Sequence, residues 1–275
     1  MAASPNIFLI DNGSLRVDAI LALRSLATQL SVRTGLRVEP VSLLHSSKVP
    51  AADLGGLAAE IVKSSLFRLI EVGKREFVFL PLFLGPSRGI TDYLSNLIAE
   101  AHKLSPDLKV VVADTLMGAD VDEPDPRLAK MLAVHVRQAI LASGLTQPKV
   151  AMVDHGTPAE LVNRVRNAVA RQLAILLEGE VALVLPCSME RRQGSEYDFN
   201  EPLLERVDQL EGWIGSDVIV ALFFLLPGRH AGAAGDVAQI CDGLIEPYGL
   251  RSVVQTLAPL PHGSALRYSR AGRSF

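Results

Sequence analysis

The chain has only two cysteines among its 275 residues, Cys187 and Cys241. They form neither a Cys-x-x-Cys metal pair nor a disulfide framework, so a reducing compartment is expected. The longest apolar run, from Val218 to Pro227, is too short to span a bilayer. The first residues, Met1 to Pro5, lack the charged segment and apolar core of a secretory signal. We therefore expect a cytoplasmic protein without membrane contact.

An excess of charge of either sign is also missing. The formal net charge is −3 and the isoelectric point is near 6.1, which argues against a nucleic-acid partner, because nucleic-acid-binding domains carry basic surfaces. The sequence contains no Gly-x-Gly-x-x-Gly fingerprint, no Walker phosphate loop, no Gly-x-Ser-x-Gly elbow and no His-Glu-x-x-His zinc helix. The sequence therefore carries none of the common signatures of nucleotide-binding proteins, serine hydrolases or metalloproteases.

What the sequence does contain is an alternation of short apolar runs with amphipathic helical stretches. Almost half of the residues are hydrophobic, and the length allows two domains of ordinary size. Strands alternating with helices predict parallel sheets with helices on both faces, a doubly wound α/β fold. In the first half, strands are predicted at Ile7–Ile10, Arg37–Leu44, Phe77–Leu84 and Lys109–Ala113, and helices at Asp18–Leu30 and from Pro126 to about Leu141.

The second half of the sequence repeats the first. Three anchors keep nearly one register, with offsets of about 141 to 143 residues. A period this long indicates two similar domains rather than a solenoid, and we place them at 1–145 and 146–275. A pseudo-twofold axis should relate them. The aligned segments are Leu9–Ser14 with Met152–Thr157, Pro86–Gly89 with Pro227–His230, and Thr115–Leu116 with Thr256–Leu257.

The repeat differs at two strand ends in a chemically informative way. His155 and His230 stand in the second half where Asn12 and Gly89 stand in the first. The strand before His155 is followed by helix-start signals that include a Thr-x-x-Glu capping box, Thr157 to Glu160. In open α/β sheets, ligands bind at this carboxyl edge of the strands. Neutral imidazoles bind divalent first-row metals or accept protons, so these two positions are candidates for a metal or proton-transfer site. The alternative is that the two turns have no function and that their sequences differ by drift.

Other polar residues are predicted at the same edge. Glu190 follows a strand at Val181–Leu185 and is either a carboxylate ligand or base, or a solvated loop acid. The polar insertion at 193–202 has no counterpart in the first half, and it is either a loop over the site or a surface insertion. Arginines and one tyrosine near these turns suggest an anionic, carboxylate-bearing ligand. They are Arg191, Arg192, Arg229, Arg88 of the first half, and Tyr197.

The two histidine motifs resemble those of the sirohydrochlorin chelatases of the CbiX type, the ATP-independent class II chelatases of siroheme and cobalamin biosynthesis. The motifs are Asp154-His155-Gly156-Thr157 and Leu226-Pro227-Gly228-Arg229-His230-Ala231-Gly232, followed by Asp236. The resemblance covers nearly the whole chain, as the long form in which two chelatase halves are fused. It differs in the first half, where many long forms keep their histidines.

The resemblance implies a function and a site. A chelatase of this type inserts Fe2+ or Co2+ into sirohydrochlorin, an octacarboxylate tetrapyrrole, without an organic cofactor. It also implies a cleft between the halves in which His155 and His230 bind the metal and take part in insertion, with Glu190 as a further ligand. A single chain whose halves mimic a dimer is then expected to be a monomer. One alternative is a non-catalytic metal or tetrapyrrole carrier that keeps the chelatase fold. Another is a two-domain α/β protein whose histidines are incidental.

Overall fold

The structure is a computed structural model that describes residues 4–225, 235–248 and 251–256. The chain divides into two compact units, Met1–Ala119 and Asp120–Phe275, here called unit 1 and unit 2. Each unit contains one four-stranded sheet in which all neighbouring strands are parallel. The predicted α/β class with two similar parallel sheets is therefore confirmed.

Unit 1 alternates strands and helices around a sheet of order β2-β1-β3-β4. On one face, Phe8, Phe77 and Phe79 pack with α2 and α3 in a buried cluster. On the other face, α1 contacts β1 and β2 and buries Leu23 and Ala27. The elements are β1 (Asn6–Asp11), α1 (Val17–Thr34), β2 (Val38–Ser42), α2 (Val62–Glu71), β3 (Glu76–Pro81), a π-helical turn (Gly89–Leu94) that continues into α3 (Ser95–Leu104), and β4 (Lys109–Val112).

Unit 2 repeats this arrangement with a sheet of order β6-β5-β7-β8. Short 3₁₀ turns, Ser195–Asn200 and Leu204–Gln209, stand between β6 and β7, where unit 1 has α2 between β2 and β3. The buried cluster on one face includes Trp213, Val220 and Val237. The elements are α4 (Pro126–Ser143), β5 (Lys149–Asp154), α5 (Glu160–Leu176), β6 (Leu183–Ser188), β7 (Asp217–Leu222), α6 (Asp236–Tyr248) and β8 (Arg251–Thr256).

Helix α4 follows the first sheet in the sequence but belongs to unit 2. Its buried stripe includes Leu128, Leu132 and Val136, and the helix packs on β7, β8 and α5. Arg137 adds a two-pronged ion pair to Glu180, which lies just after α5. The units consequently divide between residues 119 and 120, earlier than the boundary at 145/146 that the repeat predicted.

The sequence signals located the strands within a few residues but misplaced one helix start. The capping box predicted at Thr157 does not form, because α5 begins at Glu160 with Ala159 as its N-cap residue. Thr157 instead accepts a hydrogen bond from the Ala159 amide through its side chain, at 3.0 Å. The turn after β5 is therefore longer than predicted, and His155 lies in an irregular segment between the strand and the helix.

None of the helices in the described parts of the chain is both long and apolar enough to cross a bilayer.

Candidate functional site

The candidate site lies where β5 and β6 end side by side. The two strands pair in register up to Asp154 and Ser188. The chain then continues the pairing through two backbone hydrogen bonds, from the Met189 amide to the Asp154 carbonyl at 2.8 Å and from the Glu190 amide to the His155 carbonyl at 3.2 Å. The second of these bonds holds Glu190 next to His155 at the carboxyl edge of the sheet.

Gly156 allows the two turns to approach this closely. Its φ of +91° lies in the left-handed region that favours glycine. A Cβ atom at this position would stand 1.8 Å from the Glu190 carbonyl oxygen, so any side chain would push the two turns apart.

His155 and Glu190 form the candidate ligand pair. Nε2 of His155 lies 3.7 Å from Oε1 of Glu190, and the side chains are 45% and 62% exposed. This separation exceeds that of a hydrogen bond. Because imidazole and carboxylate ligands stand about 2.0–2.2 Å from a metal such as zinc, two of them on one ion lie at most about 4.3 Å apart. The pair therefore has the spacing and the exposure to take up one divalent ion from solvent.

A buried polar layer supports this turn from below. Oδ1 of Asp154 accepts hydrogen bonds from the Ser188 hydroxyl at 2.6 Å and from the Gly156 amide at 3.1 Å. Both side chains are buried, so bulk water does not weaken these bonds. The turn that carries His155 is thereby tied to the end of β6.

The polar insertion packs against the same turn. Asn200 is fully buried, accepts a hydrogen bond from the Thr157 amide at 2.9 Å and donates to the Thr157 carbonyl at 3.0 Å. Tyr197 and Phe199 meet edge to face, and the exposed Arg192 guanidinium lies 5.9 Å from the centre of the Tyr197 ring. The insertion therefore packs on the turn that carries His155, and its role as a loop over the site stays a prediction.

Arg191, predicted to bind substrate, is held by contacts within the insertion. Its guanidinium is already held by Glu201 at 2.8 Å and by Asp198 at 3.0 Å, and it donates to the Gly194 carbonyl at 3.0 Å. These contacts fold the insertion onto itself, and a substrate carboxylate would have to displace two carboxylates of the protein. Arg191 therefore holds the loop in shape.

Cys187 is excluded as a nucleophile. It is fully buried in the core of unit 2 next to β5, and burial raises the pKa of its thiol well above the usual range. The thiol is therefore protonated and inaccessible at neutral pH.

Unit 1 builds the same turn with different side chains. The Leu44 amide donates to the Asn12 carbonyl at 3.2 Å, as Glu190 does to His155, and a Cβ on Gly13 would stand 1.7 Å from the Leu44 carbonyl oxygen. A Cβ on Gly89 would lie 3.8 Å from the side-chain oxygen of Asn12. The positions of Asn12, Leu44 and Gly89 are therefore neighbours, and unit 1 has neither imidazole nor carboxylate at any of them.

Asp11, the unit 1 counterpart of Asp154, is buried at its strand end. Burial raises the pKa of this carboxyl group, although a hydrogen bond with Ser42 partly offsets the shift. Among the described residues, Oδ1 of Asp11 has no hydrogen-bond partner. Ionised Asp11 is therefore a stability cost to unit 1.

We expect Asp11→Asn to raise the melting temperature at pH 7 to 8. Because the pKa of Asp11 is raised in the folded state, protonation of this group stabilises the fold, fully so below the unfolded pKa of about 3.9. This stabilisation is lost as pH rises through the native pKa. The neutral amide avoids that loss, and a gain of ~1 kcal/mol corresponds to about 2–4 °C in a chain of this size. Calorimetry at pH 4 and pH 8 checks this, since a gain that is equal at both pH values would contradict it.

Of three further predicted site residues, the structure describes one, Arg88. Arg88 is exposed at the start of the π-helical turn in unit 1. His230 and Arg229 lie outside the described residues. Within the ranges that the structure describes, no group of three or more histidine, cysteine, aspartate or glutamate side chains is arranged to hold a metal ion. His155 and Glu190 are therefore a candidate pair only.

Two four-stranded parallel sheets in two similar units define a doubly wound α/β protein. Solved structures agree on the fold. The chain matches SirB from Bacillus subtilis with Fe3+ (12% identity, TM-score 0.63, covering 93% of this chain and 89% of that one). It also matches the sirohydrochlorin chelatase SirB from Bacillus subtilis subspecies spizizenii in complex with cobalt (14%, TM-score 0.61, 93% and 88%).

A third match is CbiX, described as the terminal enzyme for siroheme biosynthesis in denitrifying bacteria (16% identity, TM-score 0.55, 93% of both chains). Neither a protein-family model nor a curated protein sequence matches this chain. At this level of identity the similarity establishes the chelatase fold, over nearly the full length of the neighbours. The resemblance found in the histidine motifs is thus confirmed in the architecture.

Proposed function

We propose that the protein is a sirohydrochlorin chelatase that inserts Fe2+ or Co2+ into its tetrapyrrole without a nucleotide. The observation that carries this proposal is the His155–Glu190 pair, 3.7 Å apart at the carboxyl edge of a chelatase-type sheet. The SirB neighbours with Fe3+ and with cobalt support a metal-handling role. The predicted cytoplasmic location and monomeric state belong to the same proposal.

The proposed ligands suit a site that binds a divalent ion and then passes it to the tetrapyrrole. Imidazole nitrogen and carboxylate oxygen bind first-row divalent ions, with cobalt favoured over iron by intrinsic affinity. We assign His230 as the third ligand. The support comes from unit 1, where the positions equivalent to residues 155 and 230, Asn12 and Gly89, are neighbours.

Insertion exchanges two pyrrole protons for one divalent ion. Each N–H bond breaks as a nitrogen–metal bond forms, and the two protons leave the ring for a base or for water. His155 and Glu190 are exposed enough to receive protons and to pass them to solvent. The same two groups therefore serve as ligands before the transfer and as proton acceptors during it.

The substrate's carboxylates need cationic partners outside the metal site. Arg192 fits this role, because its exposed guanidinium lies over the Tyr197 ring of the insertion. The insertion packs on the turn of His155 through Thr157. We retain Arg229 and Arg88 as proposed carboxylate-binding residues. Arginine suits this task because its planar fork matches a carboxylate.

Arg192→Ala should raise KM for sirohydrochlorin by about 3- to 10-fold with little change in kcat, on the scale of one partly exposed charge-assisted hydrogen bond. Steady-state kinetics measure this. Arg171→Ala is the matched control, since Arg171 is an exposed arginine near the far end of α5. An unchanged KM in Arg192→Ala would remove this residue from the substrate site.

The proposed activity itself is tested by anaerobic mixing of the protein with sirohydrochlorin and Fe2+ or Co2+, followed by absorption spectroscopy. A chelatase accelerates the spectral change above the rate without protein, and turns over more than once. A carrier binds metal or tetrapyrrole, but leaves the insertion rate at its uncatalysed value. That second outcome would replace the proposal with a carrier function.

A further inference from the structure

Arg166 is a buried cation directly beneath the His155 turn. It is 1% exposed and is among the largest fully buried side chains in the described chain. Its Nη1 donates to the Ser188 hydroxyl at 2.5 Å and to the Asn200 carbonyl at 3.3 Å. The same nitrogen lies 3.5 Å from Oδ1 of Asp154, with which Arg166 forms a buried ion pair.

The other donors of the guanidinium are also used. Nε and Nη2 donate to the Asn167 side-chain oxygen at 3.1 and 3.0 Å, and Nη2 lies 3.5 Å from the Phe199 carbonyl oxygen. One side chain on α5 therefore joins the end of β5, the end of β6 and the polar insertion. These three segments carry His155, Glu190 and Tyr197.

The fold alone does not require this arginine. In each unit the helix that follows the central strand, β1 or β5, begins six residues after the strand-end aspartate, at Val17 and at Glu160. In this register Leu23 stands in unit 1 where Arg166 stands in unit 2, and Leu23 is 2% exposed. Unit 1 makes the same turn with a buried apolar residue at this helix position. Burying a charge costs free energy, and a protein with an apolar residue in its place is often no less stable. The stability of the fold therefore does not explain why an arginine stands at position 166.

We propose that Arg166 is a positioning residue for the metal site. By holding Asp154 and Ser188 at once, it fixes the two strand ends whose next residues are the ligand pair. By holding the Asn200 carbonyl, it locks the insertion to Thr157 on the other side of His155. This inference rests on the proposed function, because it assigns the geometry of the ligand pair as the property that Arg166 preserves.

The test uses Arg166→Leu, which copies the residue of unit 1, and Arg166→Lys, which keeps the charge with fewer donors. The matched control is Arg137→Leu, which removes an arginine that pairs with Glu180 and the Leu176 carbonyl in the same unit. Two measurements are made on the full chain: Co2+ titration followed by absorption, and hydrogen exchange at the Glu190 and Thr157 amides.

Arg166→Leu is expected to weaken Co2+ binding by about 10- to 100-fold, the usual effect of removing a group that orients metal ligands. The two amides should exchange faster, whereas circular dichroism should stay unchanged. Arg166→Lys should be intermediate in both measurements. Arg137→Leu should lower the melting temperature without changing Co2+ affinity or the two amides.

Wild-type Co2+ affinity together with protected amides in Arg166→Leu would overturn the proposal. If Arg166→Leu does not fold, Arg166→Lys decides by the same two criteria. Absence of Co2+ binding by the wild-type chain would defeat the proposed function instead. The amide exchange then still decides whether Arg166 holds the turn, so the two failures are distinguishable.

Discussion

Replacing His155 with alanine is expected to reduce metal insertion by about 100-fold or more, the range seen when a positioned acid–base group is lost. The loss combines two effects, because the imidazole nitrogen is both a ligand and a proton acceptor in the proposed reaction. His230→Ala should have an effect of similar size if it supplies the third ligand. Initial rates of insertion, measured anaerobically with Co2+ and sirohydrochlorin, give the comparison.

Asn12→Ala is the matched control for His155→Ala, because the two residues occupy the same turn in the two units. It should leave the insertion rate within about twofold of wild type. His155 is exposed, so its truncation removes little of the core. Melting temperatures of both variants should therefore stay near the wild-type value. A wild-type insertion rate in His155→Ala would place the chemistry elsewhere.

A second metal site is expected to form in unit 1 when its turn receives the side chains of unit 2. The triple variant Asn12→His, Leu44→Glu, Gly89→His should raise the stoichiometry of Co2+ binding from about one to about two ions per chain. The reason is geometric. Leu44 stands at the Glu190 position, and a Cβ on Gly89 points to within 3.8 Å of the Asn12 side chain.

The substitutions have a local cost that the experiment must separate from ligand chemistry. A Cβ at position 89 would stand 3.1 Å from a methyl group of Leu43, which must shift slightly. Leu44 is partly buried against the unit 1 core. The control is therefore Asn12→Ala, Leu44→Gln, Gly89→Ala, which carries similar strain without ligands. If the histidine and glutamate variant folds as the control does but binds only one Co2+ ion per chain, the result would contradict the assigned equivalence. That equivalence pairs positions 12, 44 and 89 with positions 155, 190 and 230.

Local patterns predicted most of the fold. Apolar runs such as Phe77–Leu84 placed the strands, and alternation with helices gave parallel sheets. The assignment of α4 failed because periodicity tells which face of a helix is apolar, but not which sheet that face packs on. Leu132 and Val136 are buried on the second sheet, a long-range contact that no local signal contains. The start of α5 was wrong because Thr157 bonds to the Ala159 amide rather than capping the helix.

The candidate site was predictable where strand topology determines it. His155 and Glu190 come together because both follow neighbouring parallel strands. The partners of Arg191, Glu201 and Asp198, could not be predicted because they belong to an irregular loop without periodicity. The sequence analysis did not identify Arg166. The internal repeat did carry a signal, because an arginine stands in unit 2 where unit 1 has Leu23, and both residues are buried.

The most direct test of the central claim is a crystal structure of the full chain with Co2+, using anomalous diffraction at the cobalt edge. We expect one strong peak within about 2.0–2.2 Å of His155 Nε2 and a Glu190 carboxylate oxygen, the usual range for such ligands. That peak should vanish in crystals of His155→Ala. A cobalt peak away from both residues, or one that persists in His155→Ala, would contradict the account.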